Sequence, residues 1–205
     1  MPMYIYVYEH YGEDNRKSRD LMYQALKMYA AEVGIPIENS PKVIKIGKGK
    51  PVFAEYCNIN FSISHWEKFW TCCFSEKNLG FDIQGEKDAK IIEIARRYFS
   101  ESEYKYVLKN GKRGFFRLWT MKEALAKFLG DGIADVMGKY RLVANGEITD
   151  SIDIGKEKLF FGTLDLEKYF SISDNVSGIS CSYVSAEKDG ELWVRKIPQR
   201  RMLQE

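Results

Sequence analysis

The central segment of the sequence reads Phe116-Arg117-Leu118-Trp119-Thr120-Met121-Lys122-Glu123-Ala124-Leu125-Ala126-Lys127-Phe128-Leu129-Gly130. At about 100° per residue, five apolar side chains share one face of a helix: Leu118, Met121, Leu125, Phe128 and Leu129. The pattern predicts one helix that ends at Gly130, with this apolar face against a core. A separate ridge carries Trp119, Glu123 and Lys127 at i, i+4 and i+8. Lys122 lies at the other edge of the stripe. Taken alone, Glu123 and Lys127 fit an ordinary surface ion pair equally well.

A second segment, Leu79-Gly80-Phe81-Asp82-Ile83-Gln84, predicts a short strand upstream of this helix. Because side chains alternate along a strand, Asp82 and Gln84 point to the same face. The two segments together supply a set of oxygen ligands and two lysines. This combination favours a binding site over a plain surface helix.

The composition indicates a chain with its own core and nearly balanced charge. The chain has 205 residues, of which 45% are apolar, and a formal net charge of +2. This length suits one large domain or two small lobes that share a core. The charge balance argues against a large non-specific nucleic-acid surface, which needs a basic excess. No apolar run reaches the roughly 18–20 residues that a membrane helix needs.

The N-terminal segment and the cysteines predict a cytoplasmic protein. Residues 1–8 lack a basic region and predict a strand rather than a signal peptide. The four cysteines include no Cys-x-x-Cys pair, which argues against a zinc site. Cys72 and Cys73 lie in an apolar strand pattern, so we expect them to be reduced core residues.

The other segments predict a mixture of helices and strands. Before residue 85 the pattern indicates a strand, a helix from Ser18 to Val33, a Gly/Lys turn at 47–50 and an antiparallel meander of three strands over 58–84. Next come a helix that Asp88 caps, a second helix over about 101–109 and a basic loop at 109–114. Strands are then predicted at 140–144, 159–164, 169–173, 178–185 and 192–197, with turns at Asn145-Gly146 and Asp189-Gly190.

The order of these elements predicts an α+β fold. A long helix followed by strands occurs once before residue 85 and again after residue 115. We therefore expect two similar halves, residues 1–85 and 86–205, related by a pseudo-two-fold. Each half would be a long helix packed on a small, mostly antiparallel sheet, with the active site at their junction.

Three motifs in this order resemble those of the 4′-phosphopantetheinyl transferases: Phe61-Ser62-Ile63-Ser64-His65, Gly80-Phe81-Asp82-Ile83-Gln84, and Trp119 to Lys127. Gly49-Lys50-Pro51 and residues 94–103 are also similar to family segments. The resemblance covers about residues 18–185, and the length resembles the two-lobed, monomeric Sfp type. It implies transfer of the phosphopantetheine arm of coenzyme A to a serine of an apo acyl or peptidyl carrier protein, with release of adenosine 3′,5′-bisphosphate.

The resemblance also implies roles for single residues. Asp82 and Glu123 would hold Mg²⁺, or Mn²⁺ in its place, and Gln84 would be a third ligand. Many Sfp-type members carry Glu at this last position, so the amide puts direct ligation in doubt. The lysines of the helix, Lys122 and Lys127, match positions near the phosphates. Another group matches the 3′-phosphate and ribose end of coenzyme A: Lys50, Ser64 and His65. Arg19 lies near a different phosphate-contacting segment of the family.

Plainer interpretations stay open beside this one. His65 alone is typical of a strand-end histidine, Trp119 of a core residue and the Gly/Lys turn of a solvated hairpin tip. An inactive carrier- or nucleotide-binding module with the same fold is the main alternative, and a nucleic-acid-binding domain is a weaker one. Fatty-acid, polyketide and peptide-synthetase carriers all fit, and acidic carrier helices would suit five basic residues: Arg96, Arg97, Lys105, Lys112 and Arg113.

Overall fold

Two four-stranded sheets and one long helix form the frame of the protein in its computed structural model, which describes residues 2–37, 40–169, 178–188 and 190–199. The helices are α1 Ser18–Val33, α2 Ile91–Tyr98, α3 Glu101–Leu129 and α4 Ile133–Met137, with a 3₁₀ turn at Leu166–Lys168. The strands are β1 Met3–Tyr8, β2 Val43–Ile46, β3 Lys50–Phe53, β4 Asn60–Trp66, β5 Phe69–Ser75, β6 Leu79–Gly85, β7 Val143–Ala144, β8 Glu147–Ile148, β9 Ser151–Ile154, β10 Glu157–Thr163, β11 Ile179–Ser185 and β12 Leu192–Lys196. The fold is thus α+β, as predicted.

Strand pairing divides the described strands into two sheets and two hairpins. The first sheet has the order β12-β1-β5-β4, in which only the β1–β12 pair is parallel. The second sheet is antiparallel throughout and has the order β6-β11-β10-β9. The strands β2 and β3 form one hairpin, and β7 and β8 form the other.

The first sheet is buried on both faces, and alternation along β1 shows this directly. Tyr6 and Tyr8 pack with α1, whereas Ile5 and Val7 pack with apolar residues of the second sheet. On β6, Leu79, Phe81 and Ile83 pack in the same apolar cluster as Ile5 and Val7, between the two sheets. The alternate positions 80, 82 and 84 therefore face the opposite side, where α3 lies.

The helix α3 begins with the predicted capping box and ends at Gly130, as predicted. The Ser100 hydroxyl accepts a hydrogen bond from the Glu103 amide, and the Glu103 carboxylate accepts one from the Ser100 amide. The predicted basic loop at 109–114 is wrong, because helical structure continues on both sides of a kink. Only Gly111 departs, with φ 60° and ψ −147°, a conformation that glycine adopts without a steric penalty.

The predicted meander over 58–84 is also wrong in its third strand. The strands β4 and β5 pair as expected, but β6 pairs with β11 in the second sheet. The side of β6 that faces β4 is joined to it through two serine side chains, Ser62 and Ser64. A local pattern shows that a strand exists but not that its partner lies about a hundred residues away.

Strands also cross the predicted boundary between halves at residue 85. The early strand β6 belongs to the second sheet, and the late strand β12 pairs with β1 in the first. The division into residues 1–85 and 86–205, and the pseudo-two-fold, stay predictions.

Several element boundaries differ from those predicted. Lys90, not Asp88, is the N-cap of α2, and only Val143 and Ala144 are extended in the predicted strand 140–144. The strand expected at 169–173 and the turn at Asp189-Gly190 fall largely outside the described residues. The four cysteines are free, and three of them are buried. Among the described helices, none combines the length and the apolar character needed to cross a bilayer.

Candidate functional site

Over residues 118–128 of α3, the predicted ridge is the part that is partly exposed to solvent. From Leu118 to Phe128 every residue is buried except Trp119, Glu123 and Lys127, which are half-buried. Trp119 stacks on Phe115 with ring centroids 5.7 Å apart. Because the other residues from 118 to 128 are buried, this part of the helix presents its acid and its base on one side only.

Gly80 lets α3 approach β6 closely enough for this ridge to reach the strand. A Cβ atom at this position would lie 1.9 Å from the Ala124 carbonyl oxygen and 2.7 Å from the Phe128 nitrogen. Both are backbone atoms, so a side chain here would force the helix away from the strand. The glycine two residues before Asp82 therefore sets the distance between the carboxylate of Asp82 and the ridge.

Asp82 is buried and receives two hydrogen bonds on one carboxylate oxygen. The Ser64 hydroxyl donates to Asp82 Oδ1 at 2.6 Å, and Lys127 Nζ donates to the same oxygen at 2.7 Å. Lys127 also donates to the Ile63 carbonyl at 3.0 Å. The strands β4 and β6 and the helix α3 thus meet at Asp82.

Glu123 lies close enough to Asp82 for the two carboxylates to interact. Burial raises the pKa of Glu123, the charge of Asp82 raises it further, and the ammonium of Lys127 lowers it. Within the described residues no hydrogen bond reaches the Glu123 carboxylate, so both of its oxygens can accept a proton or a cation.

This pair of carboxylates fits a magnesium ion by its chemistry. Mg²⁺ usually binds proteins through one or two carboxylates and completes its octahedron with substrate phosphate oxygens and water. No group of three or more His, Cys, Asp or Glu side chains suited to a metal occurs among the described residues, which agrees with a site that substrate completes. Gln84 lies on the same face of β6 as Asp82, and its amide donates to the Gly85 carbonyl at 3.3 Å, which leaves its own oxygen as an acceptor.

A cavity of about 340 Å³ lies beside this site between the β2–β3 hairpin and the end of α3. Its lining includes four lysines: Lys45, Lys48, Lys50 and Lys127. Lys48 pairs with Asp131 at 3.3 Å and with Asp135 at 3.1 Å, so part of this charge is balanced. The remaining positive charge makes the cavity suitable for an anionic ligand.

Lys50 is largely buried and fastens the hairpin to the end of α3. Its ammonium donates to the side-chain oxygen of Asn78, to the Leu79 carbonyl at 3.2 Å and to the Phe128 carbonyl at 3.0 Å. Burial lowers the pKa of Lys50 to about 8. Three protein acceptors already hold this ammonium.

His65 lies at the other end of β4 and is exposed. Its ring contacts Tyr11 edge to face at 5.1 Å, and His65 pairs in register with Trp70, whose indole donates to the Ser18 hydroxyl at 2.8 Å. The N-terminus of α1, with the exposed Arg19, is thereby held next to this end of β4. Lys50 lies beside the earlier part of β4, since it lines the same cavity as Phe61, Ser62 and Ile63. The grouping of Lys50 with His65 at one phosphate stays a prediction.

Comparison with known proteins finds a family similarity over the segment that contains this site. A profile of the 4′-phosphopantetheinyl transferase superfamily matches residues 78–176, a segment that contains Asp82, Glu123 and Lys127. This segment, just under half of the chain, is thus similar to that superfamily. The 4′-phosphopantetheinyl transferase Sfp of Bacillus subtilis strain 168 is 28% identical over 131 residues, which cover 61% of this chain and 58% of the relative.

Two further relatives carry the same family name. The 4′-phosphopantetheinyl transferase psf-1 of Bacillus pumilus is 33% identical over 109 residues, which cover 50% of this chain and 46% of the relative. The 4′-phosphopantetheinyl transferase gsp of Aneurinibacillus migulanus is 35% identical over 89 residues, covering 42% and 36% respectively. The chain therefore matches between 36% and 58% of the length of these three relatives.

Lys122, expected near the phosphates from the family resemblance, lies instead in the core. Its side chain is 0% exposed, and Nζ contacts Glu103 Oε1 at 2.9 Å, the Met137 carbonyl at 2.9 Å and the Tyr140 carbonyl at 2.6 Å. Burial lowers the pKa of Lys122, and the Glu103 charge opposes this shift. No surface of its ammonium is left for a ligand, so we assign Lys122 a structural role.

Glu103 is a buried structural residue whose contacts the sequence predicts only in part. One oxygen closes the capping box of α3, as the Ser-x-x-Glu spacing predicts. The other oxygen accepts from the Leu142 amide at 2.8 Å and from Lys122. This buried pair joins the start of α3 to the turn of the helix that carries Glu123, and no local spacing links residues 103 and 122.

A larger cavity of about 620 Å³ lies along the earlier part of α3 and does not include the two carboxylates. Its polar side chains have both signs of charge, with Arg113 and Arg117 from the helix and Glu86 and Asp165 from loops. We take the smaller lysine-lined cavity as the family's candidate substrate site because it shares Lys127 with the carboxylate cluster.

Proposed function

We propose that this protein transfers the 4′-phosphopantetheine arm of coenzyme A to a serine of an apo carrier protein. The observation that carries this proposal is that Lys127 takes part both in the carboxylate cluster and in the lining of the cavity. Its ammonium contacts Asp82 Oδ1 at 2.7 Å and also lines the lysine-rich cavity. A metal-binding pair of carboxylates and a cavity for an anion are therefore adjacent, which is what a pyrophosphate substrate requires.

In this proposal the carboxylates of Asp82 and Glu123 hold Mg²⁺, with Gln84 as an additional oxygen donor. When bound, the metal would offset negative charge on the pyrophosphate of coenzyme A. Lys127 would bring a second positive charge to the same phosphates, held in place by the Ile63 carbonyl.

The reaction exchanges one phosphorus–oxygen bond for another. The carrier serine oxygen bonds to the phosphorus that bears the pantetheine arm, and the bond from this phosphorus to the oxygen of adenosine 3′,5′-bisphosphate breaks. The serine proton passes to a base. An oxygen of Glu123 that the metal leaves open would be able to accept it, because no hydrogen bond from the described residues reaches this carboxylate.

We place the 3′-phosphate of coenzyme A at the end of β4 that carries His65, beside the N-terminus of α1 with Arg19. Both side chains are exposed, and the Trp70–Ser18 hydrogen bond holds their elements together. The lysine-lined cavity at the other end then receives another part of the substrate. This arrangement revises the role of Lys50, whose ammonium holds the hairpin against α3.

Mass measurement of the carrier tests the proposal. Wild-type protein, coenzyme A, MgCl₂ and an apo carrier should give a carrier heavier by one phosphopantetheine group. Asp82→Asn and Glu123→Gln should each lower the initial rate at least about 100-fold, because each removes a charge from the proposed metal site. Glu147→Gln, at an exposed glutamate on β8, is the control and should keep the wild-type rate.

Two results would contradict parts of this proposal. Wild-type rates in either site variant at saturating Mg²⁺, with unchanged thermal melts, would remove the metal assignment. Binding of coenzyme A without any transfer to a panel of carriers would favour the inactive binding module instead. The panel should include fatty-acid, polyketide and peptide-synthetase carriers, because nothing in the site distinguishes among them.

Exposed basic residues on α2 and α3 are the proposed docking surface for the carrier protein. We expect a cytoplasmic monomer that meets acidic carrier helices with its basic residues. Of these, Arg96 and Arg97 lie on α2, and Lys105, Lys112 and Arg113 lie on α3, all of them exposed. Lys105 and Lys112 are paired with Glu101 and Asp88, so the arginines have more charge to offer a partner.

A further inference from the structure

We propose that Ser64 is a positioning residue that fixes the carboxylate of Asp82, and that it does not bind the 3′-phosphate of coenzyme A. Its hydroxyl lies 2.6 Å from Asp82 Oδ1, and the residue is 6% exposed. The consequence for catalysis rests on the proposed function, whereas the positioning itself is a property of the fold.

The inference begins with the seam between β4 and β6. These neighbouring strands belong to different sheets, and in the described residues serine side chains join them in place of a backbone ladder. The Ser62 hydroxyl accepts from the Phe81 amide at 3.1 Å and donates to the Phe81 carbonyl at 3.2 Å. The Ser64 hydroxyl accepts from the Ile83 amide at 3.3 Å.

The two serines differ in where they send their single proton. A hydroxyl has one hydrogen to donate and two lone pairs to accept with. Ser62 donates its proton to backbone, so it closes the seam and orients no carboxylate. Ser64 gives its proton to Asp82, so it closes the seam and also orients a carboxylate. The backbone of Ser64 is itself held, since the Thr71 hydroxyl donates to the Ser64 carbonyl at 2.9 Å.

Both protein donors to Asp82 converge on Oδ1, which has a consequence for Oδ2. Ser64 approaches Oδ1 from β4 and Lys127 approaches it from α3. Two charge-assisted bonds to one oxygen fix the plane of the carboxylate and leave Oδ2 without a hydrogen bond from the described residues. A cation can then bind at Oδ2 without displacing either donor.

Contact between Ser64 and a phosphate would require these bonds to break. The hydroxyl would have to leave both Asp82 and the Ile83 amide, and a buried amide left without an acceptor is costly. The neighbouring His65 is exposed and needs no such change.

Alanine substitutions at the two serines form a matched pair for the test. Both remove one buried hydroxyl from the same strand and the same seam, so both should lower the melting temperature by a similar amount. Ser64→Ala should lower kcat about 10- to 100-fold, the size expected for a lost hydrogen bond to a charged group. Ser62→Ala removes no bond to Asp82 and should lower kcat less than Ser64→Ala does, although Ser62 also lines the lysine-lined cavity. Ser64→Thr, which keeps the hydroxyl, should recover most of the rate.

Three measurements separate positioning from substrate contact. The ratio of kcat/KM for coenzyme A to that for dephospho-coenzyme A should be the same in Ser64→Ala and wild type. Hydrogen exchange should be faster at the Ile83 amide in Ser64→Ala and at the Phe81 amide in Ser62→Ala. Stabilisation of the protein by MgCl₂ with coenzyme A, followed by thermal melts, should be smaller in Ser64→Ala than in Ser62→Ala.

The outcomes distinguish this inference from the proposed function. A loss confined to coenzyme A, with dephospho-coenzyme A unaffected, would show that Ser64 contacts the 3′-phosphate. Equal losses of kcat in Ser62→Ala and Ser64→Ala would reduce Ser64 to a seam residue. If wild-type protein transfers nothing, the proposed function fails. The positioning role is tested separately, and unchanged hydrogen exchange at the Ile83 amide in Ser64→Ala would overturn it.

Discussion

Single residues around Asp82 divide into those on the half-buried ridge of α3 and those that are buried and hold the elements together. Glu123 and Lys127 lie on the half-buried ridge of α3, whereas Lys122, one residue earlier than Glu123, is wholly buried against Glu103. Adjacent residues on a helix point about 100° apart, so neighbours in a motif can have unrelated roles.

Gln84 offers a test of the metal site at the scale of one residue. If its oxygen faces the metal, Gln84→Glu adds a negative charge there, and Mg²⁺ should half-activate at a concentration several-fold lower. Turnover need not rise, because affinity in the ground state does not speed a reaction. A Mg²⁺ titration of the initial rate measures this. An unchanged titration with a lowered melting temperature would place Gln84 away from the metal.

His65 and Lys50 should respond differently when the 3′-phosphate is removed from the substrate. His65→Ala should lower the preference for coenzyme A over dephospho-coenzyme A by about tenfold, the loss of one charge-assisted contact. Lys50→Met should leave this preference alone and lower the melting temperature. Paired kcat/KM values with the two substrates decide, and the reverse pattern would move the phosphate to the lysine-lined cavity.

Among the elements, the contact between α3 and β6 determines the geometry of the site. Gly80→Ala would place a Cβ atom against helix backbone at Ala124 and Phe128, so either element must move. We expect a loss of about 1–3 kcal/mol in stability, or about 2–10 °C in melting temperature, together with a greater loss of transfer.

Gly138→Ala is the control for Gly80→Ala. Gly138 has a helical conformation, and a Cβ atom there would meet nothing within 4 Å. This variant should keep both stability and rate. Full transfer activity in Gly80→Ala would show that the close approach of helix and strand is not needed for catalysis.

Local patterns predicted the elements of the site better than their surroundings. Alternation along β6 and the i, i+4 ridge of α3 correctly predicted the faces that carry Asp82 and Glu123. The burial of Lys122 could not be predicted this way, because it depends on Glu103 and on two carbonyls from later residues. The sheet to which β6 belongs could not be predicted this way either, because its partner β11 lies about a hundred residues later in the chain.

At the scale of the whole molecule, Lys50 links the stability of the fold to pH. Its pKa of about 8 lies below the usual value of 10.5, so the unfolded chain binds more protons than the folded protein between these pH values. The free energy of unfolding contributed by this residue therefore rises with pH through that window. We expect wild type to gain on the order of 1 kcal/mol relative to Lys50→Met between pH 8 and 10.5.

Urea unfolding of both proteins across this pH range measures the difference. Other lysines and tyrosines titrate there too, but they are common to both proteins and cancel. A difference that is flat with pH would mean that the three oxygen acceptors of Lys50 fully offset its burial.

The burial pattern of α3 over residues 118–128 has a consequence for how well this chain tolerates mutation. Over the eleven positions from 118 to 128, eight side chains are buried and three form the ridge beside Asp82. A library of all single substitutions, selected for carrier modification, should therefore find no permissive position over three consecutive helical turns. Ordinary surface helices leave a tolerant stripe every three or four residues, so the missing stripe would identify this helix without any structure.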